Sequence, residues 1–335
     1  MVAGGDVMFG RYSNSTYRSI GGDEPFAAIA AQLRKADVAF VNLESPLMEG
    51  HPPRMPEAPR GLVFRGEAKR AHQMVQAGVD VVALANNHTE DLRNPGVKST
   101  IEILAAAGLV GFGAVEQGDP LAPVVADIDG KQVVFLGATT RRNLGEPRTG
   151  QWIPSAYKPF KWLLKEFPKR VEDARLTWPN ALIIVSMHWG EEYVTSAPAP
   201  HQKLARALID AGANGVLGHH PHVLQPIEVY NGAPILFSMG NLVFDQRGVS
   251  RRRTALFDLS WQRNQAGEWQ LNGLVLTPVM LRGGETGPTY ATSTEAEPIL
   301  SMMKTGAANQ QTLLERKGGT LVWSPPSASI GVKPH

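Results

Sequence analysis

The sequence predicts a layered α/β protein, and two alternating patterns carry this prediction. Short apolar runs that are rich in β-branched residues occur at 38–41, 79–84, 133–136 and 182–185. Such runs are typical of strands in a sheet that is covered on both faces. Amphipathic stretches typical of helices lie between them, and this alternation favours helices packed against a largely parallel sheet.

The helical stretches come in the order that the alternation requires, and two of them end at a glycine that can cap a helix, Gly78 and Gly108. The predicted helices are 25–36, 67–78, 97–108, 157–176 and 201–212. In the second half, 127–131 and 230–233 have the composition of hairpin turns. Two antiparallel strands are predicted at 254–262 and 268–281, so the sheet should be mixed.

The chain length suggests one large domain or two ordinary ones, because domains average about 150 residues. With 335 residues, we predict one layered domain over 1–284. Residues 285–335 are expected to form a C-terminal extension that packs on this domain or trails from it. Within the extension, the apolar spacing predicts a helix over 296–316.

The composition excludes several classes of protein. The absence of cysteine excludes disulfides and thiolate metal sites. The formal net charge of +2 does not favour a nucleic-acid partner, because nucleic-acid binders usually carry a strong basic excess. No apolar run reaches 18 residues, so no membrane span is predicted. The chain begins inside an apparent strand, so we expect an export signal or anchor upstream and a place in the cell envelope; the cytoplasm stays open as an alternative.

Polar residues recur directly after the apolar strands. These residues are Asp6, Asn42, Glu44, Asn87, His88, Asp91, His188, His220, His222 and Asn241. The carboxyl ends of strands in an open α/β sheet meet at one crevice, so these residues are expected to form one site. Carboxylates, amide oxygens and imidazoles suit Mn²⁺, Fe²⁺ or Zn²⁺, and two such ions can activate a water together.

A family resemblance rests on six motifs that appear in the expected order. They are Gly5-Asp6-Val7-Met8-Phe9-Gly10-Arg11, Asn42-Leu43-Glu44, Asn86-Asn87-His88, His188-Trp189-Gly190-Glu191-Glu192-Tyr193, Gly218-His219-His220-Pro221-His222-Val223 and Ser238-Met239-Gly240-Asn241. Over residues 3–282 the chain resembles the CapA family, which is associated with bacterial poly-γ-glutamate capsule synthesis. That family is similar to calcineurin-like metallophosphoesterases, and the resemblance implies a four-layer α/β/β/α sandwich.

The resemblance also implies roles for individual residues. The metal ligands would be Asp6, Glu44, Asn87, His188, His220 and His222, and His188 would also serve in catalysis. His88 would act as the acid or bind phosphate, and we expect Asp91 to be its orienting partner when it acts as the acid. The phosphoesterase pattern has His where this chain has Met8 and Asp where it has Glu44, so one or two metal ions are left open.

Arginines placed after the strands predict recognition of an anion, because a guanidinium group binds carboxylates and phosphates through paired hydrogen bonds. The residues expected to contact substrate are Arg11, Asn42, Arg141, Glu192, Tyr193, Asn241 and Arg247. The substrate would be an anionic polymer, a peptide or a phosphoester.

Three functions stay open at this point. The first is a metal-assisted hydrolase or transferase. The second is a non-catalytic component that binds the polymer within a membrane complex for capsule synthesis and export. The third is a metal-independent enzyme, such as a peptide epimerase, in which His88 and Glu44 would form the proton-transfer pair.

Overall fold

The computed structural model describes residues 1–13, 16–50, 62–148, 151–284 and 286–326. Two large sheets dominate it, and helices cover their outer faces. The strands are β1 (Val2–Val7), β2 (Gly10–Ser13), β3 (Thr16–Ser19), β4 (Ala39–Leu43), β5 (Leu47–Met48), β6 (Leu62–Phe64), β7 (Gly66–Glu67), β8 (Val81–Ala83), β9 (Val110–Phe112), β10 (Val124–Ile128), β11 (Lys131–Thr139), β12 (Leu182–His188), β13 (Gly215–His219), β14 (Ile227–Tyr230), β15 (Ala233–Leu236), β16 (Asn241–Val243), β17 (Arg253–Arg263), β18 (Trp269–Leu281), β19 (Pro288–Tyr290), β20 (Glu315–Lys317) and β21 (Thr320–Trp323). The helices are α1 (Ala30–Leu33), α2 (Lys69–Ala77), α3 (Arg93–Ala107), α4 (Phe160–Thr177), α5 (Ala199–Asp210), α6 (Val249–Arg252) and α7 (Ser293–Asn309).

Both large sheets are mixed, as predicted. The first has the strand order β20-β21-β18-β17-β1-β4-β8-β9, with β16 beside β1 and β19 beside β18. In it, β1, β4, β8 and β9 are parallel, whereas β17 runs antiparallel to β1. The second has the order β10-β11-β12-β13-β15-β14, in which the four central strands are parallel. Hairpins close both of its edges, at the two turns that the sequence predicts.

Three apolar cores separate four layers. Leu33, Met74 and Leu104 of α1, α2 and α3 pack on the outer face of the first sheet. Aromatic residues of both sheets, such as Phe40 and Phe135, fill the space between the sheets. On the far side, α4 and α5 cover the second sheet. The α/β/β/α sandwich that the family resemblance implies is therefore confirmed.

Two predicted helices differ from the observed ones. The stretch 25–36 is mostly a series of turns, and only Ala30–Leu33 is α-helical. The helix predicted at 296–316 begins earlier, behind a capping box between Thr292 and Glu295, and ends at Asn309. Gln311 adopts a left-handed conformation with φ of +58°, which turns the chain towards β20, so the last third of that prediction, 310–316, is wrong.

Residues 286–326 continue the first sheet. β19 and β21 both pair with β18. Ile299, Leu300 and Met303 of α7 are buried in the core between the sheets. In the described ranges, no helix combines the length and the apolar character that crossing a membrane requires.

Two glycines allow the strands that carry the polar residues to approach their neighbours. A Cβ atom on Gly5 would lie 2.1 Å from the carbonyl oxygen of Gly240, and one on Gly218 would lie 2.0 Å from that of Phe237. Any side chain at these positions would collide with backbone atoms. The close approach sets Asp6, at the end of β1, opposite Asn241 of β16.

Candidate metal centre

The carboxyl ends of five strands bring the predicted ligands together between the two sheets. Asp6 lies on β1, and Glu44 and Asn87 follow β4 and β8 in the first sheet. His188 ends β12 in the second sheet, and the loop after β13 carries the last pair, His220 and His222. All six residues are buried. The structure therefore brings together the six residues that the sequence predicts as metal ligands.

Two overlapping groups of side chains have their ligand atoms within 4.8 Å of one another. One group contains Glu44, His188 and His220, and the other contains Asp6, Glu44 and His222. Glu44 belongs to both groups, so its carboxylate occupies the position between them. If two metal ions were bound, Glu44 would be available as a ligand to both groups.

Glu44 has a buried carboxylate without a hydrogen-bond partner. Its side chain is fully buried, and neither of its oxygens accepts a hydrogen bond. Its Oε1 lies 3.5 Å from His188 Nε2 and 3.9 Å from His222 Nε2. Burial, and then the nearby carboxylate of Asp6, raise the pKa of Glu44 well above its usual value. A buried, unpaired acidic group is costly, and a bound cation would supply the missing partner.

The histidines of the centre are held in the form that binds metals. Burial first, and then neighbouring histidines, lower the pKa values of His188 and His220 well below their usual range. His220 Nδ1 lies 3.2 Å from His188 Nε2, and Asn87 Oδ1 lies 2.7 Å from the same Nε2 atom. Neutral imidazoles with converging nitrogen atoms are metal ligands. With the unpartnered Glu44, the donor set fits a divalent cation.

Other asparagines form hydrogen bonds that support the predicted ligands on the side away from the cleft. Asn42 Nδ2 donates to Asp6 Oδ1 at 2.8 Å, and Asn86 Nδ2 donates to Asn42 Oδ1 at 3.2 Å. Asn241 Oδ1 lies 2.8 Å from His222 Nδ1. Asn42 and Asn241 are fully buried and do not line the cleft. Both side chains point into the protein and hydrogen-bond to predicted metal ligands. They were expected to contact substrate, but the structure places them on the side of those ligands away from the cleft.

The loop after β13 aims its two histidines through an unusual backbone. His220 has φ of +96° and His222 has φ of +56°. Non-glycine residues avoid this left-handed region at a cost of about 1–2 kcal/mol each. The strained loop directs His220 towards His188 and His222 towards Asp6, which lies 3.3 Å from His222 Nδ1. Backbone strain of this kind is characteristic of functional sites.

His88 lies at the entrance of the centre in a fixed orientation. Its Nδ1 is 2.7 Å from Asp91 Oδ2, the atom that also accepts the backbone N–H of Phe64 at 2.7 Å. The ring of Phe64 stacks on the imidazole with 3.6 Å between ring centroids. The acid and its orienting partner named from the sequence are therefore in contact.

A cleft of about 520 Å³ opens above the centre. Its lining includes four of the residues expected to contact substrate, namely Arg11, Arg141, Glu192 and Tyr193. Arg11 forms an ion pair with Asp245, and Arg141 forms one with Glu191. Arg247 is exposed and lies outside the lining of the cleft.

Two residues that shape the cleft, Asn143 and Glu90, were not predicted from the sequence. Asn143 lies between Asn87 and His88, and Glu90 holds the neighbouring Arg142. Asn143 comes four residues after the end of β11, so the rule that selected the other strand ends would have found it. Met8, at the position of a histidine in the phosphoesterase pattern, is fully buried in the apolar core.

Comparisons with known proteins identify the family of the chain. The family model described as "Bacterial capsule synthesis protein PGA_cap" matches residues 1–246. The "Capsule biosynthesis protein CapA" of Bacillus anthracis is 30% identical, over 99% of this chain and 77% of that protein. The "PGA biosynthesis protein CapA" of Bacillus subtilis is 28% identical, over 88% of this chain and 75% of that protein.

Among solved structures, the sulfate thiohydrolase SoxB of Thermus thermophilus aligns with a TM-score of 0.44 and 16% identity, over 88% of this chain and 48% of that chain. The family match covers most of the chain and includes every predicted metal ligand. The chain therefore belongs to the family of bacterial capsule synthesis proteins and is a relative of the CapA proteins.

Proposed function

We propose that this protein is a metal-dependent hydrolase or transferase that acts on an anionic polymer, peptide or phosphoester during capsule synthesis at the cell envelope. The fully buried carboxylate of Glu44, shared by two groups of ligands and without a hydrogen-bond partner, carries the proposal. Asp6, Glu44, Asn87, His188, His220 and His222 would hold one or two ions of Mn²⁺, Fe²⁺ or Zn²⁺. When bound, such a cation supplies electrophilic activation of water and of the substrate.

In this proposal, His88 moves the proton. Its Nδ1 hydrogen bond to Asp91 leaves Nε2 as the atom that exchanges a proton with the leaving group. The stacked ring of Phe64 prevents the imidazole from rotating out of this position. A positioned acid of this kind typically contributes about 10²- to 10⁴-fold to the rate.

The arginines of the cleft would bind the anionic groups of the substrate. Arg11 and Arg141 already face Asp245 and Glu191, so a substrate carboxylate or phosphate would have to replace these internal partners. Tyr193 lies beside them with the guanidinium of Arg251 at 3.6 Å from its ring centroid, which gives the cleft a flat aromatic wall. The relatives named for capsule biosynthesis and PGA biosynthesis support a role in making an anionic polymer. We infer that this role is carried out in a capsule-synthesis complex at the membrane.

The decisive experiment combines elemental analysis with chelation. The purified chain should contain at least one divalent metal ion. Chelation should abolish hydrolysis of bis(p-nitrophenyl) phosphate or of poly-γ-glutamate, and Mn²⁺ should restore it. Full turnover after verified removal of the metal would contradict the proposal.

A second function, a polymer-binding component without catalysis, is favoured by one observation. Met8 occupies the place of a metal-binding histidine and is buried in the core, so the ligand set is smaller than that of the phosphoesterase pattern. The test is a double variant, His188→Ala with His220→Ala. If it still binds poly-γ-glutamate and restores capsule production in a deletion strain, the binding function replaces the catalytic one.

A further inference from the structure

The loop after β11 places an additional side chain against the candidate metal centre. Asn143 lies in the cleft between the ligand Asn87 and the acid His88. Asn143 Oδ1 accepts a hydrogen bond from Asn87 Nδ2 at 3.1 Å, and the Asn143 backbone N–H donates to Asn87 O at 3.5 Å. Its Nδ2 lies 3.2 Å from His88 Nδ1 and 3.4 Å from His88 Nε2, and only Nε2 can accept from it, because Nδ1 donates to Asp91. One side chain thus touches both the ligand and the acid.

The contact with Asn87 decides which end of its amide faces the metal ligands. Asn87 Oδ1 lies 2.7 Å from His188 Nε2, so the oxygen faces the cluster and the nitrogen faces Asn143. An amide oxygen has lone pairs for a cation, whereas the amide nitrogen can only donate hydrogen bonds. Rotating the amide by half a turn would set two oxygens, those of Asn87 and Asn143, against each other. The acceptor on Asn143 therefore selects the orientation that can bind metal.

A buried ion pair fixes the loop that carries Asn143. The neighbouring Arg142 donates to both carboxylate oxygens of Glu90, from Nε at 3.0 Å and from Nη2 at 2.8 Å. Ser155 Oγ donates to the same carboxylate at 2.5 Å. Paired hydrogen bonds between Arg and a carboxylate are strong and define a geometry. The loop therefore presents Asn143 from a rigid base.

We propose that Asn143 is a positioning residue that holds the amide of Asn87 with its oxygen towards the metal and so sets the metal affinity of the centre. This inference rests on the proposed metal-dependent function. Hydrogen-bond partners of metal ligands typically contribute roughly 10- to 100-fold to metal affinity.

The test is calorimetric titration of the metal-free, full-length chain with Mn²⁺ and with Zn²⁺. Asn143→Ala removes the acceptor and should weaken binding by about tenfold. Asn143→Asp keeps an acceptor oxygen for Asn87 Nδ2 and should bind at least as tightly as the unchanged chain. Asn264→Ala, in the turn between β17 and β18, is the matched control and should leave the affinity unchanged.

The outcomes separate this inference from the function on which it rests. If the unchanged chain binds neither cation, the proposed function fails and this inference fails with it. If the unchanged chain binds a cation and Asn143→Ala binds it equally well, only this inference is overturned. An equal loss in Asn143→Ala and Asn143→Asp would also overturn it, because the acceptor oxygen would then not be what holds Asn87.

Discussion

Replacing Glu44 with glutamine should stabilise the metal-free protein and remove its response to metal. The carboxylate is fully buried, lacks a hydrogen-bond partner and lies close to the carboxylate of Asp6. Glutamine has nearly the same shape without the charge. The substitution therefore removes an unfavourable group from the metal-free fold and a ligand from the metal-bound one.

The size of the effect follows from the environment of Glu44. A buried group without a partner costs about 1–3 kcal/mol when it is neutral and more when it is charged. Glutamine keeps the neutral cost, so the substitution removes only the extra cost of the charge, at least about 1 kcal/mol. In a chain of this length, each kcal/mol changes the melting temperature by roughly 2 °C. Glu44→Gln should therefore raise the melting temperature of the metal-free protein by at least about 2 °C. A metal present at about 100 times its dissociation constant should add about 2.7 kcal/mol to the unchanged protein and nothing to the variant.

The assay is thermal unfolding followed by circular dichroism, first in a chelator and then with Mn²⁺. Glu228→Gln is the matched control, because Glu228 is also buried but forms an ion pair with Arg206 at 2.8 Å. It should lower the melting temperature and preserve the metal response. A lower melting temperature of metal-free Glu44→Gln, or a metal response that survives in it, would refute the reasoning.

Three further results are expected. Gly5→Ala should reduce the free energy of unfolding in urea by about 3 kcal/mol, because its Cβ meets the oxygen of Gly240; an unchanged value would contradict the close approach. Asp91→Asn should slow turnover by about 10²-fold with unchanged metal content, because it releases the imidazole of His88; equal turnover would exclude that role. Burial lowers the pKa of His201 to about 4 from 6.5, so stability should fall as pH drops between these values. His201→Gln should flatten this decline in urea titrations, and an unchanged slope would assign it to other groups.

The grouping of the ligands was predictable from the sequence because it depends on topology alone. Parallel strands in one sheet end at the same edge, so residues that follow them must lie close together. That rule brings together Asp6, Glu44 and Asn87 from the first sheet. The family resemblance implies that a second sheet packs face to face against the first, with its strand ends on the same side. This packing adds His188, His220 and His222 to the group.

The roles of individual side chains were not predictable in the same way. Asn42 and Asn241 lie at strand ends, as the predicted ligands do. Their side chains, however, point into the protein and form hydrogen bonds to Asp6 and His222. A strand-end pattern does not distinguish an inward amide from one that faces the cleft. The importance of Asn143 depends on its distance to Asn87, which lies 56 positions earlier in the chain. The strand-end rule would have included Asn143 among the candidates, but its contact with Asn87 is set by how two loops pack, which the sequence pattern does not show.

Several features that oppose folding are concentrated at this one place. The carboxylate of Glu44 is buried without a partner, and His220 and His222 hold left-handed backbones that cost about 1–2 kcal/mol each. Tyr193, at the edge of the same cleft, has φ of +67°. A fold stabilised by three apolar cores can tolerate this combined cost, but packing alone does not explain why the unfavourable features share one site. In the proposed function, a bound cation would offset the largest of them, the charge of Glu44, and would take the two strained imidazoles as ligands. Cation binding therefore explains why these unfavourable features lie at one site. Without a cation the carboxylate of Glu44 has no partner, so its removal should make the metal-free protein more stable.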